Sequence, residues 1–296
     1  MLHMIIRFSR AALYRHSRLA VPALCLAAAG CPAAAQLTTD SDATPTVNSR
    51  VPGIEITRLA ALPKAPPSAS TRQDCGPLDA PKSDGGKIAD ASGWGVTGEA
   101  RLGAYDVVSF AGKFEAATSG SCEISAGNVA LFQGRQLVAL IYAPGHSKQS
   151  IGSVRSSEDK LRILDGDIIP MPVGDLRLAS NGAIEVDPLA AADPICNGRD
   201  IAPNLYGKSI REARRTLLEQ GWKPVKSSSS DPLSKSLHES GIAEAGGCAG
   251  TGFAFCGYAY RKGNMELDVT TFGDSDAPTV AHYAAACERS QWHLSN

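Results

Sequence analysis

Two apolar runs separated by only two residues constrain the fold of this chain most strongly. The runs cover residues 128–133 and 136–142, with Gly134 and Arg135 between them. A two-residue loop that begins with Gly favours a type II′ β-hairpin. Both faces of this hairpin would be apolar, so we expect other parts of the chain to cover both. The expected cross-strand pairs are Phe132 with Leu137 and Leu131 with Val138.

The surrounding residues, 75–190, contain the turn residues and apolar segments of further strands and show no helical period. Asp165 and Gly166 predict a tight type I′ turn that would join residues 161–164 to 167–169. A three-residue loop at 180–182, with Gly182 in the left-handed conformation, would align the apolar side chains of the two flanking strands on one face. We therefore predict a mainly β protein in which residues 75–190 form an all-β sandwich or barrel.

Residues 196–296 have a different character and predict a helix packed on a small antiparallel sheet. Ser209 and Glu212 have the spacing of a capping box, in which each side chain accepts a backbone N–H of the other residue. A helix is expected to follow and to end at Gly221. Its apolar stripe consists of Ile210, Ala213, Leu217 and Leu218.

A second hairpin is expected around the turn residues Gly263 and Asn264. The buried cross-strand pairs should be Tyr260 with Leu267 and Tyr258 with Val269. The pair of Arg261 with Glu266 should lie in solvent. The same alternation places Phe253 and Phe255 on the other face. They either pack beneath the helix or form an exposed aromatic patch. These two residues are the candidate ligand-binding residues.

The first 35 residues have the layout of a secretory signal peptide. Four arginines precede the apolar run 19–29, and small residues follow at 33–35. An alternative is a lipoprotein in which Cys31 carries a lipid. Residues 36–74 are rich in Pro, Ser and Thr and are predicted to be a flexible tether or wrap-around arm. We therefore expect a periplasmic or secreted protein that is not integral to the membrane.

Six cysteines remain after the leader, an even number that indicates three disulfides in an exported chain. Sequence alone allows 15 connectivities for six cysteines. The division into residues 75–190 and 196–296 favours one of them. Its pairs are Cys75 with Cys122, Cys248 with Cys256, and Cys196 with Cys287.

Charge argues against two classes of partner. The leader contains four of the 29 Lys and Arg residues and none of the 30 Asp and Glu residues, so the remainder carries a net charge of about −5. A mildly acidic chain without a basic stripe is not typical of proteins that bind nucleic acids or anionic membranes.

One segment carries a family resemblance. It contains Pro203 and Gly207, the capping box at 209–212, and the pair Gly221 and Trp222. This segment, residues 203–222, resembles the opening strand and helix of PASTA modules. These are small extracellular α+β units of penicillin-binding proteins and serine/threonine kinases, and are associated with peptidoglycan fragments. The resemblance implies a similar local fold and adds a cell-wall component to the candidate partners.

Motifs for catalysis, metal binding or cofactor binding are not evident. The four histidines after the leader have no zinc-ligand spacing within one element, and the sequence contains no G-x-S-x-G elbow, P-loop or dinucleotide fingerprint. We predict no metal and no cofactor. The histidines are His146, His238, His282 and His293.

Three functions follow as hypotheses. The first is a non-catalytic cell-envelope protein that binds or inhibits a protein partner. The second is a peptidoglycan-binding protein. The third is a secreted hydrolase, whose catalytic groups would be brought together only by folding. The sequence favours the first.

Overall fold

The computed structural model describes residues 45–75, 80–157, 160–250 and 252–287. The predicted signal peptide, Cys31 and His293 lie outside the described residues. Up to residue 187 the described residues form ten strands, one α-helix and two 3-10 helices (Pro67–Cys75 and Thr118–Gly120). The strands and the α-helix are β1 (Val47–Ser49), β2 (Glu55–Thr57), α1 (Asp84–Ala91), β3 (Gly95–Leu102), β4 (Tyr105–Ala116), β5 (Cys122–Gln133), β6 (Gln136–Tyr142), β7 (Ser153–Ser157), β8 (Lys160–Leu164), β9 (Pro172–Leu178) and β10 (Ile184–Asp187).

These ten strands form two five-stranded sheets. Their strand orders are β1-β10-β9-β8-β7 and β2-β6-β5-β4-β3, and each order is open at both ends. Apolar side chains from the two sheets share one core, to which Ile141 contributes from one sheet and Ile163 and Ile184 from the other. The predicted mainly β fold is confirmed, and of the two predicted architectures the structure is a sandwich.

The β5–β6 hairpin is covered on both faces, as predicted. Leu131 faces the core between the sheets, whereas Phe132 faces a second core that also contains Trp94 and residues of α1. Phe132 pairs with Leu137 as expected. The other pair was predicted wrongly, because a bulge inserts Val138 and places Leu131 opposite Ala139.

Helix α1 was not predicted from the sequence. Ser83 caps it by accepting the N–H of Gly86. The preceding Gly85 lies so close to Phe132 that a Cβ atom there would be 2.5 Å from the Cδ2 atom of the ring. Glycine therefore lets the helix approach the sheet, but it also weakens the local helical signal.

The described part of segment 36–74 is ordered, so of the two alternatives, a flexible tether and a wrap-around arm, this part has the geometry of the arm. Strand β1 pairs with β10 in parallel and β2 pairs with β6 in an antiparallel arrangement, so the arm adds one edge strand to each sheet. Val51 and Ile54 between these strands are buried in the shared core. Burial of this short apolar stretch stabilises the arm despite its Pro-rich composition.

The two predicted turns of the sandwich had different outcomes. Gly182 has a φ of +79°, and Leu178 pairs with Ile184, which confirms the three-residue loop. The tight turn at Asp165 was wrong, because β8 and β9 are joined by the longer loop 165–171. Within that loop, the Asp165 carboxylate accepts the N–H groups of Asp167 and Met171.

The rest of the described chain contains seven strands and two helices. Strands β11 and β12 form a two-stranded sheet, and the other five form a sheet of order β13-β15-β16-β17, with β14 also paired to β15. The elements are β11 (Ala192–Ile195), β12 (Asp200–Pro203), α2 (Ile210–Glu219), β13 (Lys223–Pro224), α3 (Pro232–Glu239), β14 (Ala245–Gly246), β15 (Cys256–Lys262), β16 (Met265–Phe272) and β17 (Thr279–Ala286).

Helix α2 packs on this last sheet, and its capping box is present as predicted. Three residues of the predicted stripe are buried, but Leu218 is 40% exposed. The pairing of β15 with β16 is as predicted, including Arg261 opposite Glu266. Glu266 is nevertheless only 3% exposed, so its predicted position in solvent was wrong. Helix α3, which Asp231 caps, was also not predicted.

All three predicted disulfides are present, and they indicate an oxidising environment. The Cys196–Cys287 bond joins the end of β11 to the end of β17. Among the described helices, none has the length and apolar character needed to cross a membrane. The described residues belong to one compact unit; the division into residues 75–190 and 196–296 stays a prediction.

Candidate functional site

A cleft of ≈ 520 Å³ lies between the sandwich and the C-terminal sheet. One wall comes from β7, β8 and the loop 165–171, and the other from β11, β17 and Phe255. Apolar side chains make up about half of the cleft lining and polar or charged side chains make up the rest, and ligand sites combine these two kinds of group. The apolar residues include Leu164, Ile168, Ile169, Pro170, Ile195 and Phe255.

The two phenylalanines singled out from the sequence lie at this cleft in different ways. Phe255 is 37% exposed and lines it, whereas Phe253 is partly buried and contacts Phe255, with ring centroids 5.8 Å apart. Neither belongs to the core beneath α2, so that alternative is wrong. The geometry is that of the second alternative, an exposed aromatic surface. Whether it binds a ligand remains a prediction.

Four ionic side chains meet at the cleft, and we call them the ion quartet: Lys160, Arg162, Asp175 and Asp193. Arg162 and Asp193 line the cleft, Asp175 is buried behind them, and Lys160 is partly buried. Arg162 donates two hydrogen bonds to Asp175, of 2.8 and 3.0 Å, and one to Asp193, of 2.8 Å. Lys160 lies 2.9 Å from Asp175 and 2.5 Å from Asp193. The quartet therefore connects strands β8 and β9 of the sandwich to β11.

Three members of the quartet, Lys160, Arg162 and Asp193, remain charged at neutral pH. Burial by itself raises the pKa of Asp193, but hydrogen bonds from Lys160 and Arg162 outweigh it, and the pKa lies below the ordinary value. The pKa of Lys160 is raised, since its bonds to Asp193 and Asp175 outweigh the effect of burial. Asp193 is thus held as a carboxylate and is poorly suited to donate a proton to a substrate.

Two tyrosines extend the ion quartet toward β17. The guanidinium carbon of Arg162 lies 5.6 Å from the ring centroid of Tyr206, and the rings of Tyr206 and Tyr283 are 4.7 Å apart. Burial raises the pKa of both tyrosine hydroxyls, which stay protonated at neutral pH. The stack joins the ion quartet to the C-terminal sheet through aromatic contacts.

The mouth of the cleft carries two further basic groups, Arg155 on β7 and His282 on β17. The Arg155 side chain is exposed and has no hydrogen bond or ion pair to any residue that the structure describes. Although solvent reaches His282, desolvation by the cleft wall lowers its pKa, and the charge of Arg155 lowers it further. Sequence reasoning did not bring these residues together, because they lie on distant strands without a shared motif.

Replacing Arg155 by Gln is expected to raise the pKa of His282 toward about 6.5, its ordinary value. The neighbouring positive charge would be lost while the desolvation remained, so the return would be partial. NMR titration of the imidazole C–H signals measures this change. Arg135→Gln, in the exposed turn between β5 and β6, is the matched control. Equal pKa values of His282 in the Arg155→Gln and Arg135→Gln variants would show that Arg155 does not act on His282.

No group of three or more His, Cys, Asp or Glu side chains within the described ranges is placed to hold a metal ion. Comparisons with protein-family models, with curated proteins and with solved structures found no match. Fold and site together define a disulfide-bonded, mainly β protein with a partly apolar, partly basic cleft between its sandwich and its C-terminal sheet.

Proposed function

We propose that this chain is an exported, non-catalytic binding protein that holds a protein partner of the cell envelope in the cleft. The observation that carries this proposal is the composition of the cleft. Phe255 offers an exposed aromatic anchor, and Arg155 offers a positive charge at the mouth that has no ion-pair partner among the described residues. Aromatic and arginine side chains contribute most of the binding energy in many protein interfaces.

The rigidity of the ion quartet supports the same proposal. A ligand site gains affinity when its walls are already in place, because less conformational entropy is lost on binding. Here the ion quartet and the tyrosine stack fix the two walls relative to each other. The Cys196–Cys287 disulfide joins β11 to β17 within one wall, and all three disulfides are compatible with the export that the leader predicts.

Photo-cross-linking tests the proposal. A photoreactive phenylalanine analogue would replace Phe255 in the oxidised chain beginning at residue 36, and the protein would be irradiated with a solubilised envelope extract. The matched control carries the analogue at Gln136, in the exposed turn of the β5–β6 hairpin. We expect one envelope protein to be linked from position 255 and not from 136.

Two results would count against this function. Labelling of the same proteins from both positions, or of none from either, would contradict a specific site at the cleft. Sedimentation of the chain with purified peptidoglycan, together with loss of the cross-link when peptidoglycan is added, would instead favour the cell-wall function that the PASTA resemblance implies.

A further inference from the structure

We infer that the occupant of the cleft is an extended, acidic peptide segment that adds as a further strand to the outer edge of β17. This inference rests on the proposed function and specifies the partner's shape and charge. It depends on three observations: the open edge of β17, the exposure of successive residues along it, and the basic groups at the mouth of the cleft.

Strand β17 is the last strand of its sheet, and its pairing determines which backbone groups point outward. The two-residue turn makes Lys262 and Met265 a hydrogen-bonded pair, so alternate residues of β16 direct their N–H and C=O groups toward β17. Glu266, Asp268 and Thr270 are those residues, and they face Ala286, Ala284 and His282. By alternation, Tyr283 and Ala285 direct their N–H and C=O groups away from the sheet.

The beginning of this outer edge is already occupied, which shows the pairing geometry that it supports. Val280 donates its N–H to Lys208 and accepts the N–H of Gly207. Beyond Val280, β17 pairs only with β16 within the part of the chain that the structure describes. The backbone groups of Tyr283 and Ala285 are thus available to a strand that enters the cleft.

The cleft follows this edge and that of a second strand. Residues 281–285 line the cleft without a gap, and so do residues 155–157 of β7, the last strand of its own sheet. A sheet face would contribute only every second residue, because side chains alternate, whereas an edge exposes successive residues. The cleft is therefore bordered by two strand edges, which suits an extended peptide.

The charged residues that line the cleft indicate which charge the peptide should carry. Arg155, Arg162 and His282 line the cleft, and Asp193 is the acidic residue in its lining. Because Arg162 and Asp193 neutralise each other within the ion quartet, Arg155 is left as the net charge at the mouth. A carboxylate on the incoming strand is the complementary group.

The test uses two pools of end-blocked pentapeptides that alternate apolar and polar residues, with a central Glu in one pool and a central Gln in the other. Hydrogen exchange of the Tyr283 and Ala285 amides would be followed by NMR in the isotope-labelled chain. We expect the Glu pool to slow exchange at both amides. The Gln pool should bind about two- to fivefold more weakly, as expected for the loss of one exposed ion pair. N-methylation of alternate peptide amides should abolish the protection.

A charge reversal provides the second arm. Arg155→Glu should invert the preference, so that a pool with a central Lys binds better than the Glu pool, whereas Arg135→Glu should leave the preference unchanged. If no pool protects the two amides while position 255 still cross-links an envelope protein, the strand-pairing inference fails and the proposed function stands. If no pool protects the two amides and position 255 cross-links no envelope protein, both the strand-pairing inference and the proposed function fail. A cross-link to the chain itself or to a second copy would also overturn the inference.

Discussion

Replacing Asp175 by Asn is expected to lower the free energy of unfolding by about 3–5 kcal/mol, the cost of removing one partner from a buried ion pair. Asp175 is 3% exposed and neutralises both Lys160 and Arg162. The substitution keeps the shape of the side chain but leaves two buried cations with one carboxylate. Denaturant unfolding followed by circular dichroism measures the difference.

Asp90→Asn is the matched control, because Asp90 also pairs with an arginine but in solvent. The side chains of Arg72 and Asp90 are 40% and 46% exposed, and such pairs contribute about 0–1 kcal/mol. Equal losses in the two variants would mean that the ion quartet does not stabilise the junction between the sandwich and the C-terminal sheet. The rigidity argument for the cleft would then lose its main support.

Removal of the Cys196–Cys287 disulfide, by replacing both residues with Ser, is expected to lower the free energy of unfolding by about 4–5 kcal/mol. The bond closes a loop with a sequence separation of 91 residues, so its loss greatly increases the entropy of the unfolded chain. Thermal or denaturant unfolding under non-reducing conditions measures the effect.

The Cys248–Cys256 bond provides the comparison, since it closes a loop with a separation of only 8 residues. Its removal should cost about 2–3 kcal/mol by the same loop-length relation. A larger loss from the short loop than from the long one would contradict the entropic explanation. It would indicate instead that the loop carrying Phe253 and Phe255 depends on this bond for its conformation.

The stability losses expected for Asp175→Asn and for removal of the Cys196–Cys287 disulfide concern the same part of the molecule. The Cys196–Cys287 bond holds the C-terminal end of β17, which borders the cleft, and the ion quartet holds β11 against the sandwich. The disulfide therefore fixes β17 to β11 within one wall, and the ion quartet fixes that wall to the sandwich. A binding site between the sandwich and the C-terminal sheet needs such links, because each of the two has a hydrophobic core of its own.

The sequence by itself determined those features that depend on neighbouring residues. The two-residue turn at Gly263 and Asn264 set the register of β15 and β16, and the capping box placed the start of α2. Gly182 likewise determined the three-residue loop between β9 and β10. In each case the backbone geometry of two to four residues decides the result, so tertiary contacts have little freedom to alter it.

The disulfides were also predictable, although their cysteines are far apart. The change from the hairpins of residues 75–190 to the helix and sheet of 196–296 assigned Cys75 and Cys122 to one part and the other four cysteines to the second. This division leaves three pairings of those four cysteines, and the structure contains the predicted one, Cys248 with Cys256 and Cys196 with Cys287.

Only the tertiary structure decided the position of α1, the order of the N-terminal arm and the make-up of the cleft. Gly85 is a poor helix former, but it lets α1 pack against Phe132. Glu266 alternates as a solvent-facing residue would, yet the fold buries it. Arg155 and His282 meet at the cleft mouth from separate sheets. Burial and charge proximity of this kind depend on how distant segments pack, and no local pattern of residues records that packing.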